Sequence, residues 1–347
     1  MTESVIDPQV SKQAAVSVPN WMRDAIALGN EFTGKQTPHW QHNALNLAVF
    51  ILIIGWLVGI GWLANVLTVW AYVPLAAVGF GWGYFALFIL VVHEASHGMF
   101  LRVGHRRQFL AQSLGNSRFW NRFFGWLVCV PLGIDYVQHW EIGHRIHHRN
   151  PCRQADPQNC PSTLFTGQVL FIFLAQTLLI PGFIQFSGAG YHCPATMRYE
   201  RNIWLMLGQG LFWLGLATSM VGTGRWQVLV AAFLGLQILA VLNLFKIAME
   251  HGGARSQAEN PFLRSASSLF PLRQLVMPLN ISLHFEHHLH AGVPWYRLGG
   301  YHQALRERLP EEVRSIVLNK NGEVWQQICE PFVMDSVADS LLNESKR

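Results

Sequence analysis

Residues 45–66 read LNLAVFILIIGWLVGIGWLANV, and residues 71–92 read AYVPLAAVGFGWGYFALFILVV. Each is long enough to cross a hydrocarbon layer as a helix, for which about 20 apolar residues suffice. No Asp, Glu, Lys or Arg occurs from residue 36 to residue 93. In lipid the backbone must satisfy its own polar groups, so such a tract is read as a pair of helices. Residues 203–224 and 226–245 form a second pair, separated only by Arg225. Two further apolar tracts are less simple. Residues 123–134 are too short to cross and are expected to be interfacial or re-entrant. Residues 164–186 are long enough, but Pro181 and Gly182 interrupt them, and a hairpin or interfacial segment is expected.

Composition agrees with this reading. Hydrophobic residues make up 51% of the 347 and charged residues 13%, about half the charged share of a soluble domain. That excludes a disordered chain and argues against a water-soluble globule. The 14 Trp and 22 Phe suit membrane interfaces. A net charge of +5 invites a nucleic-acid reading. The basic residues, however, flank the apolar spans. The loops at 67–70 and 222–226 hold only Arg225, whereas Arg102, Arg145, Arg198, Arg255, Arg273 and their neighbours fall on the other side. The positive-inside rule makes that side cytoplasmic, with both termini, and suggests a bacterial inner membrane. A single crossing at 164–186 would reverse the last pair. The expected fold is therefore an all-α integral membrane bundle of about four transmembrane helices, with interfacial or re-entrant segments and a cytoplasmic helical cap. Three segments are expected: a cytoplasmic stretch at 1–44, a membrane domain at 45–298 and a cytoplasmic helical tail at 299–347. In the tail Leu305, Leu309, Val313 and Ile316 repeat at helical spacing. The 44 N-terminal residues lack the order of a signal peptide. The five Cys show no CxxC spacing and read as free thiols.

The 16 His are unusual in so charge-poor a chain, and nine of them carry the chemistry. His93-Glu-Ala-Ser-His97, His144-Arg-Ile-His147-His148 and His284-Phe-Glu-His287-His288 each place imidazoles three or four residues apart, on one helical face. Each cluster can aim two or three rings at one point, and together they can hold two metal ions. His251 follows the last span and is a further candidate. Imidazole donors suit zinc, copper, iron or nickel. Glu94, Glu141, Glu250, Glu286 and Asp156 lie beside the histidines and can orient them through hydrogen bonds. His290 points away from its cluster, while His39, His42, His105, His139, His192 and His302 read as structural. His93–His97 also fits HExxH, the zinc protease helix. That reading leaves six clustered His unexplained, and no Asp-Gly sequence offers a third ligand. A transporter would place polar residues within its spans, whereas these clusters lie at span ends.

With these motifs in order, and with Asp156-Pro157, Glu250-His251-Gly252 and Gly292-Val-Pro-Trp-Tyr296 beside them, the chain resembles the membrane fatty acid desaturase superfamily from about residue 93 to 298. The resemblance implies a cytoplasmic di-iron site of two iron ions, with O₂ as co-substrate. Its ligands would be His93, His97, His144, His147, His148, His251, His284, His287 and His288. Asn280, one helical turn before His284, would hold a water at the site, with Asp156 and Glu250 as supporting groups. No fused haem domain is visible, so electrons would come from a ferredoxin or similar separate carrier. The expected reaction is desaturation of a lipid acyl chain. The first cluster has only three residues between its His and is followed by Gly98. That variant leaves hydroxylation or ketolation of a carotenoid or alkyl chain open. The aromatic residues Trp82, Tyr84, Phe85 and Phe88 either wall an acyl channel or face lipid.

Overall fold

The computed structural model describes residues 19–35, 37–102, 116–153, 156–158, 202–252 and 254–320. Residues 164–186 lie outside the described residues, as do 1–18 and 321–347 of the expected terminal segments. An amphipathic helix, α1 (Asn20–Phe32), precedes two long apolar helices, α2 (His39–Asn65) and α3 (Val69–Ser96). Two short helices follow, α4 (Ser117–Cys129) and α5 (Gly143–Arg149). The second apolar pair is α6 (Ile203–Gly222) and α7 (Trp226–His251). After it come α8 (His284–Leu289), α9 (Leu298–Arg306) and α10 (Glu311–Val317). The fold is mostly helical, and α2, α3, α6 and α7 are long and apolar enough to cross a membrane.

The apolar helices are hydrophobic on nearly every face, and much of that surface is not covered by protein. Ile51, Leu52 and Val58 on α2, with Leu211, Leu214 and Val221 on α6, are each at least 61% exposed. Water would tolerate no such surface, whereas lipid chains cover it without penalty. Inside the bundle, α3 and α7 cross closely at Gly81 and Gly235. A Cβ on Gly81 would come within 2.7 Å of the Gly235 carbonyl oxygen, so only a hydrogen fits there. Small residues at a helix crossing let the backbones approach, as is usual in membrane bundles. From this crossing both helices run about 20 Å in the same direction. They deliver His93 and His251 to the same end of the bundle.

The tract expected at 123–134 lies in α4 and a 3₁₀ turn at Val130–Leu132. The helix starts earlier than expected and is strongly amphipathic. Phe119, Phe123, Trp126 and Leu127 are exposed, while Asn121, Gly125, Val128 and Cys129 are buried. Asn121 clamps the segment that follows the first cluster, donating to Leu101 O at 2.7 Å and accepting from Leu101 N at 3.1 Å.

The cap draws on all three expected segments. Met22 and Leu28 of α1 pack with Phe285 and Leu289 of α8, Leu298, Tyr301 and Leu305 of α9, and Val313 and Val317 of α10. Tyr301 donates to Ala25 O at 2.8 Å. One feature departs from an all-α expectation. Strand β1 (Ser267–Leu269) pairs in parallel with β2 (Leu318–Lys320), and Ser267 also bridges to Leu283. This small sheet fastens the tail to the chain entering α8.

Candidate metal centre

Each histidine cluster reaches the centre on a distinct local device. A π-helical segment, Phe88–His93, ends α3 and carries His93; His97 closes the following turn. A second π-helical segment, Tyr136–Ile142, leads into α5 with His144, His147 and His148. Wide turns of this kind recur where a helix must re-aim its side chains at a site. His251 is the last residue of α7, and α8 supplies His284, His287 and His288.

These nine imidazoles converge. His93, His97, His144 and His287 form one group of four, and His147, His251, His284 and His288 form another. Within each group the nearest donor nitrogens all lie within 4.8 Å of one another. His148 belongs to neither quartet alone. Its ring lies 4.7 Å from those of His97 and His287, 4.6 Å from His144, and stacks on His288 at 4.2 Å. The expectation that each cluster aims at a single point is corrected here. The second cluster sends His144 to one group and His147 to the other. The third sends His287 to one and His284 and His288 to the other. The physical reason is helical phase: residues three and four apart sit on opposite sides of a shared stripe.

The hydrogen bonds show what the donor set is suited for. His147 Nδ1 donates to Asp156 Oδ2 at 2.9 Å, and His251 Nδ1 donates to Arg264 O at 2.8 Å. A carbonyl oxygen cannot donate, so in the neutral rings each Nε2 carries a bare lone pair. Yet those two Nε2 atoms face each other at 3.1 Å, and His251 and His284 do so at 2.9 Å. Lone pairs aimed at one another call for a cation between them. In the first group, His93 Nε2, His97 Nε2 and His287 Nε2 are buried with no hydrogen-bond partner. The set therefore fits a metal ion in each group. Burial pushes His97 down to about 3, and burial with neighbouring imidazoles holds His144, His148, His284, His287 and His288 well below the ordinary histidine range. Neutral rings keep their lone pairs available for coordination.

Of the acidic residues beside the histidines, only some reach a ring. Asp156 holds His147 and also accepts from Cys152 N and Gln158 N, which builds the turn around it. Glu250 Oε1 lies 3.2 Å from His284 Nδ1, and Glu94 Oε1 lies 3.4 Å from His93 Nδ1. Glu141 is instead taken by Arg118 Nε at 2.8 Å and Arg122 Nε at 2.5 Å. Glu286 is taken by Ser267 and by His302 Nδ1 at 2.5 Å. Neither is bound to one of the nine clustered imidazoles, which corrects the expectation that they orient those rings. Asn280 is corrected as well. It lies not in a helical turn leading to His284 but at φ +58° before α8. Its side chain is bound to Gln274 at 2.5 Å and to Trp295 O at 3.0 Å. His290 caps α8 and pairs with Asn30 at 3.2 Å, away from both groups.

Sequence reasoning missed three contributors. Gln158 accepts from His144 Nδ1 at 2.9 Å, the Arg264 carbonyl orients His251, and Trp140 packs on His144 at 5.1 Å. Gln158 had a signal in its place just after Asp156-Pro157; a backbone carbonyl has none. Phe88 meets Trp140 edge-on at 5.0 Å, so an aromatic path runs from α3 to the first group. Phe85 and Phe88 are fully buried in protein, not lipid-facing. Trp82 and Tyr84 are tied by hydrogen bonds to Leu275 O and Val128 O.

The family model described as fatty acid desaturase matches residues 68–318 of the chain. That stretch contains all nine histidines. No curated protein matches the chain.

Proposed function

We propose, from the premise that this chain belongs to the fatty acid desaturase family, that it is a membrane di-iron oxidoreductase that introduces a double bond into a lipid acyl chain. It would use O₂ and electrons from a separate carrier such as a ferredoxin. The observation that carries the reading is the pair of four-imidazole groups with His148 packed against both. His93, His97, His144 and His287 would hold one iron, and His147, His251, His284 and His288 the other. Iron bound there would supply O₂ activation and removal of hydrogen from an unactivated C–H bond.

The chain's own residues prepare that chemistry. Burial favours the neutral form of His97, His144, His148, His284, His287 and His288, whose lone pairs are then available without loss of a proton. Asp156, the Arg264 carbonyl and Gln158 fix which ring nitrogen faces inward. Trp140, Phe88 and the buried π-helical turn close the membrane side against water. The exposed apolar rows of α2 and α6 keep the protein in the layer that holds acyl chains. A protease reading loses support, because His93 and His97 share their group with two more imidazoles. The short first cluster keeps hydroxylation or ketolation as the second reading.

By the distribution of basic residues, the centre and both termini face the cytoplasm, and the domain limits at 44 and 298 bound the stretch that holds the spans and the histidine clusters, while the cap packs across both limits. The reading is tested by metal analysis and lipid profiling. Purified protein should contain about two irons per chain. Cells expressing it with a ferredoxin should gain O₂-dependent unsaturated acids. Unchanged acyl profiles, with a co-expressed carotenoid gaining a hydroxyl or keto group, would select the second reading.

A further inference from the structure

Lys246 and Glu250 are the only Lys, Arg, Asp or Glu of α7. Both lie in its span-forming stretch, and both are buried, Lys246 at 7% exposure and Glu250 at 1%. A lysine near the end of a membrane helix ordinarily stretches its amine toward water. This one does not. Its Nζ donates to Glu250 Oε2 at 2.7 Å, one helical turn on. The other oxygen, Oε1, stands 3.2 Å from His284 Nδ1 without hydrogen-bond alignment, and neither buried atom has another hydrogen-bond partner. Lys246 and Glu250 also line a cavity of about 30 Å³ with Trp140, His147, Gln158 and His251. That is room for a water or two, directly beside both groups of imidazoles.

A buried ion pair is weak evidence for stability, because desolvating two charges offsets most of their attraction. An apolar pair would serve α7 at least as well in lipid. What the ion pair adds is direction. A carboxylate held at one oxygen by an ammonium can rotate little, so its second oxygen stays fixed. We propose that Lys246 is a positioning residue of the metal centre: it anchors Glu250 so that Oε1 faces His284 Nδ1 and His284 Nε2 stays turned toward His251 and His288. The inference rests on the reading that His147, His251, His284 and His288 hold a metal. Lys246 makes its hydrogen bond to Glu250 and to none of these rings, so it acts through the carboxylate. Among the described residues, its neighbours Asn243 and Ile247 offer no second charge that could replace it.

The test uses the full-length protein in detergent, loaded with iron, comparing Lys246→Met, Lys246→Arg, Glu250→Gln and the double variant Lys246→Met/Glu250→Gln. Iron affinity and the Mössbauer spectrum are read, since the spectrum resolves the two sites without turnover. Lys246→Met should weaken one of the two sites by about 10–100-fold and change one set of lines only. Glu250→Gln should change the same set, and Lys246→Arg should largely preserve it. The double variant should be no worse than Glu250→Gln alone, because the lysine acts through the carboxylate. A Lys246→Met protein with wild-type affinity and spectrum overturns the proposal. So does a double variant whose losses add. If Lys246→Met fails to insert, the double variant, which buries no lone charge, decides: two irons with wild-type lines would show that the pair only supports folding. If the wild type binds no iron, the metal reading itself falls, which is a different outcome from a loaded protein insensitive to Lys246.

Discussion

The two groups of imidazoles are built differently. In the group of His147, His251, His284 and His288, every member is buried and two donate an outer nitrogen to an acceptor, Asp156 and the Arg264 carbonyl, while His284 Nδ1 stands 3.2 Å from Glu250 Oε1 without an aligned bond. In the group of His93, His97, His144 and His287, a close hydrogen bond to an outer nitrogen comes only from the neutral amide of Gln158. His97 is partly exposed, and His93 stands 3.4 Å from Glu94 without an aligned bond. The first of these quartets is fixed by charge and hydrogen bonds. The second is fixed by packing on α3, on Trp140 and on His148. The difference leads us to expect a more tightly held metal in the anchored group than in the packed one, which meets the aromatic path from α3. Supporting acceptors raise ligand basicity and hold ring orientation, so affinity should follow the same order.

The largest effect should come from removing a ligand. His287→Ala should empty or distort the packed group and leave the anchored one loaded, lowering iron from about two per chain to about one. His147→Ala removes a ligand of the anchored group and should leave the packed one loaded, again lowering iron to about one per chain. Neither variant should turn over detectably, while His290→Ala should retain most activity, because His290 faces Asn30. Iron analysis with lipid profiling checks all three. Normal product from either ligand variant would dissolve the comparison.

The four spans, the three clusters and the place of His251 were legible before any coordinates, because hydropathy and spacing encode them directly. The exclusion of His290 was legible for the same reason. The division into two groups was not. It depends on how α5 and α8 are rotated: a π-helical segment leads into α5, and turns with Leu279 and Asn280 at positive φ lead into α8, neither with a mark in the residue types. Asn280 was misread because a helix was extended one turn too far: Leu279 and Asn280 both sit at positive φ, which stops it. Glu141 and Glu286 were misread because adjacency in sequence does not say which face an acid occupies. Lys246 carried a visible signal as a lone ammonium in an apolar helix, but only the structure reveals its partner.

Acid should separate the two groups next. His97, His144, His148, His284, His287 and His288 are held below the usual value of 6.5 in the folded chain by burial, His97 at about 3. Unfolded, they take up protons below about pH 6.5. The unfolded state therefore binds more protons, and the apo-protein should lose stability steadily as pH falls from 6.5 toward the folded values, with no such loss above 6.5. Protons also compete with metal for the same nitrogens. Dialysis of loaded protein from pH 7.5 to 5 should release the packed group's iron first. Thermal unfolding and iron content against pH measure both effects. Simultaneous release would mean that the acceptors do not distinguish the groups.

Smaller changes should follow from the supports alone. Asp156→Asn keeps the shape and removes the charge behind His147, and should weaken the anchored site by about 10-fold or more. Gln158→Ala removes only a neutral acceptor from His144 and should weaken the packed site less. Equal effects would show that charge is not what distinguishes them.

The smallest effect should lie at the membrane-facing side of the packed group. Phe88 is buried, meets Trp140 edge-on, and through it touches His144. Phe88→Ala would leave a large cavity and cost about 3–5 kcal/mol, so lost product from that variant would say little about the site. Phe88→Leu removes the aromatic contact with a smaller change of volume and should cost roughly 1–2 kcal/mol. Trp140 also lines the cavity beside His147 and His251, but its ring contacts fall on His93 and His144, so the anchored group should keep its spectrum. The packed group should change slightly, and the acyl profile should shift in chain length or double-bond position by a few-fold while total product falls little. Gas chromatography of acyl chains, beside the iron spectrum of the same protein, measures the two together. A shifted profile with an unchanged anchored site would place the substrate against the packed group. A Phe88→Leu protein with wild-type profile and two unchanged sites would mean that the path ends in packing, and that the substrate approaches from elsewhere.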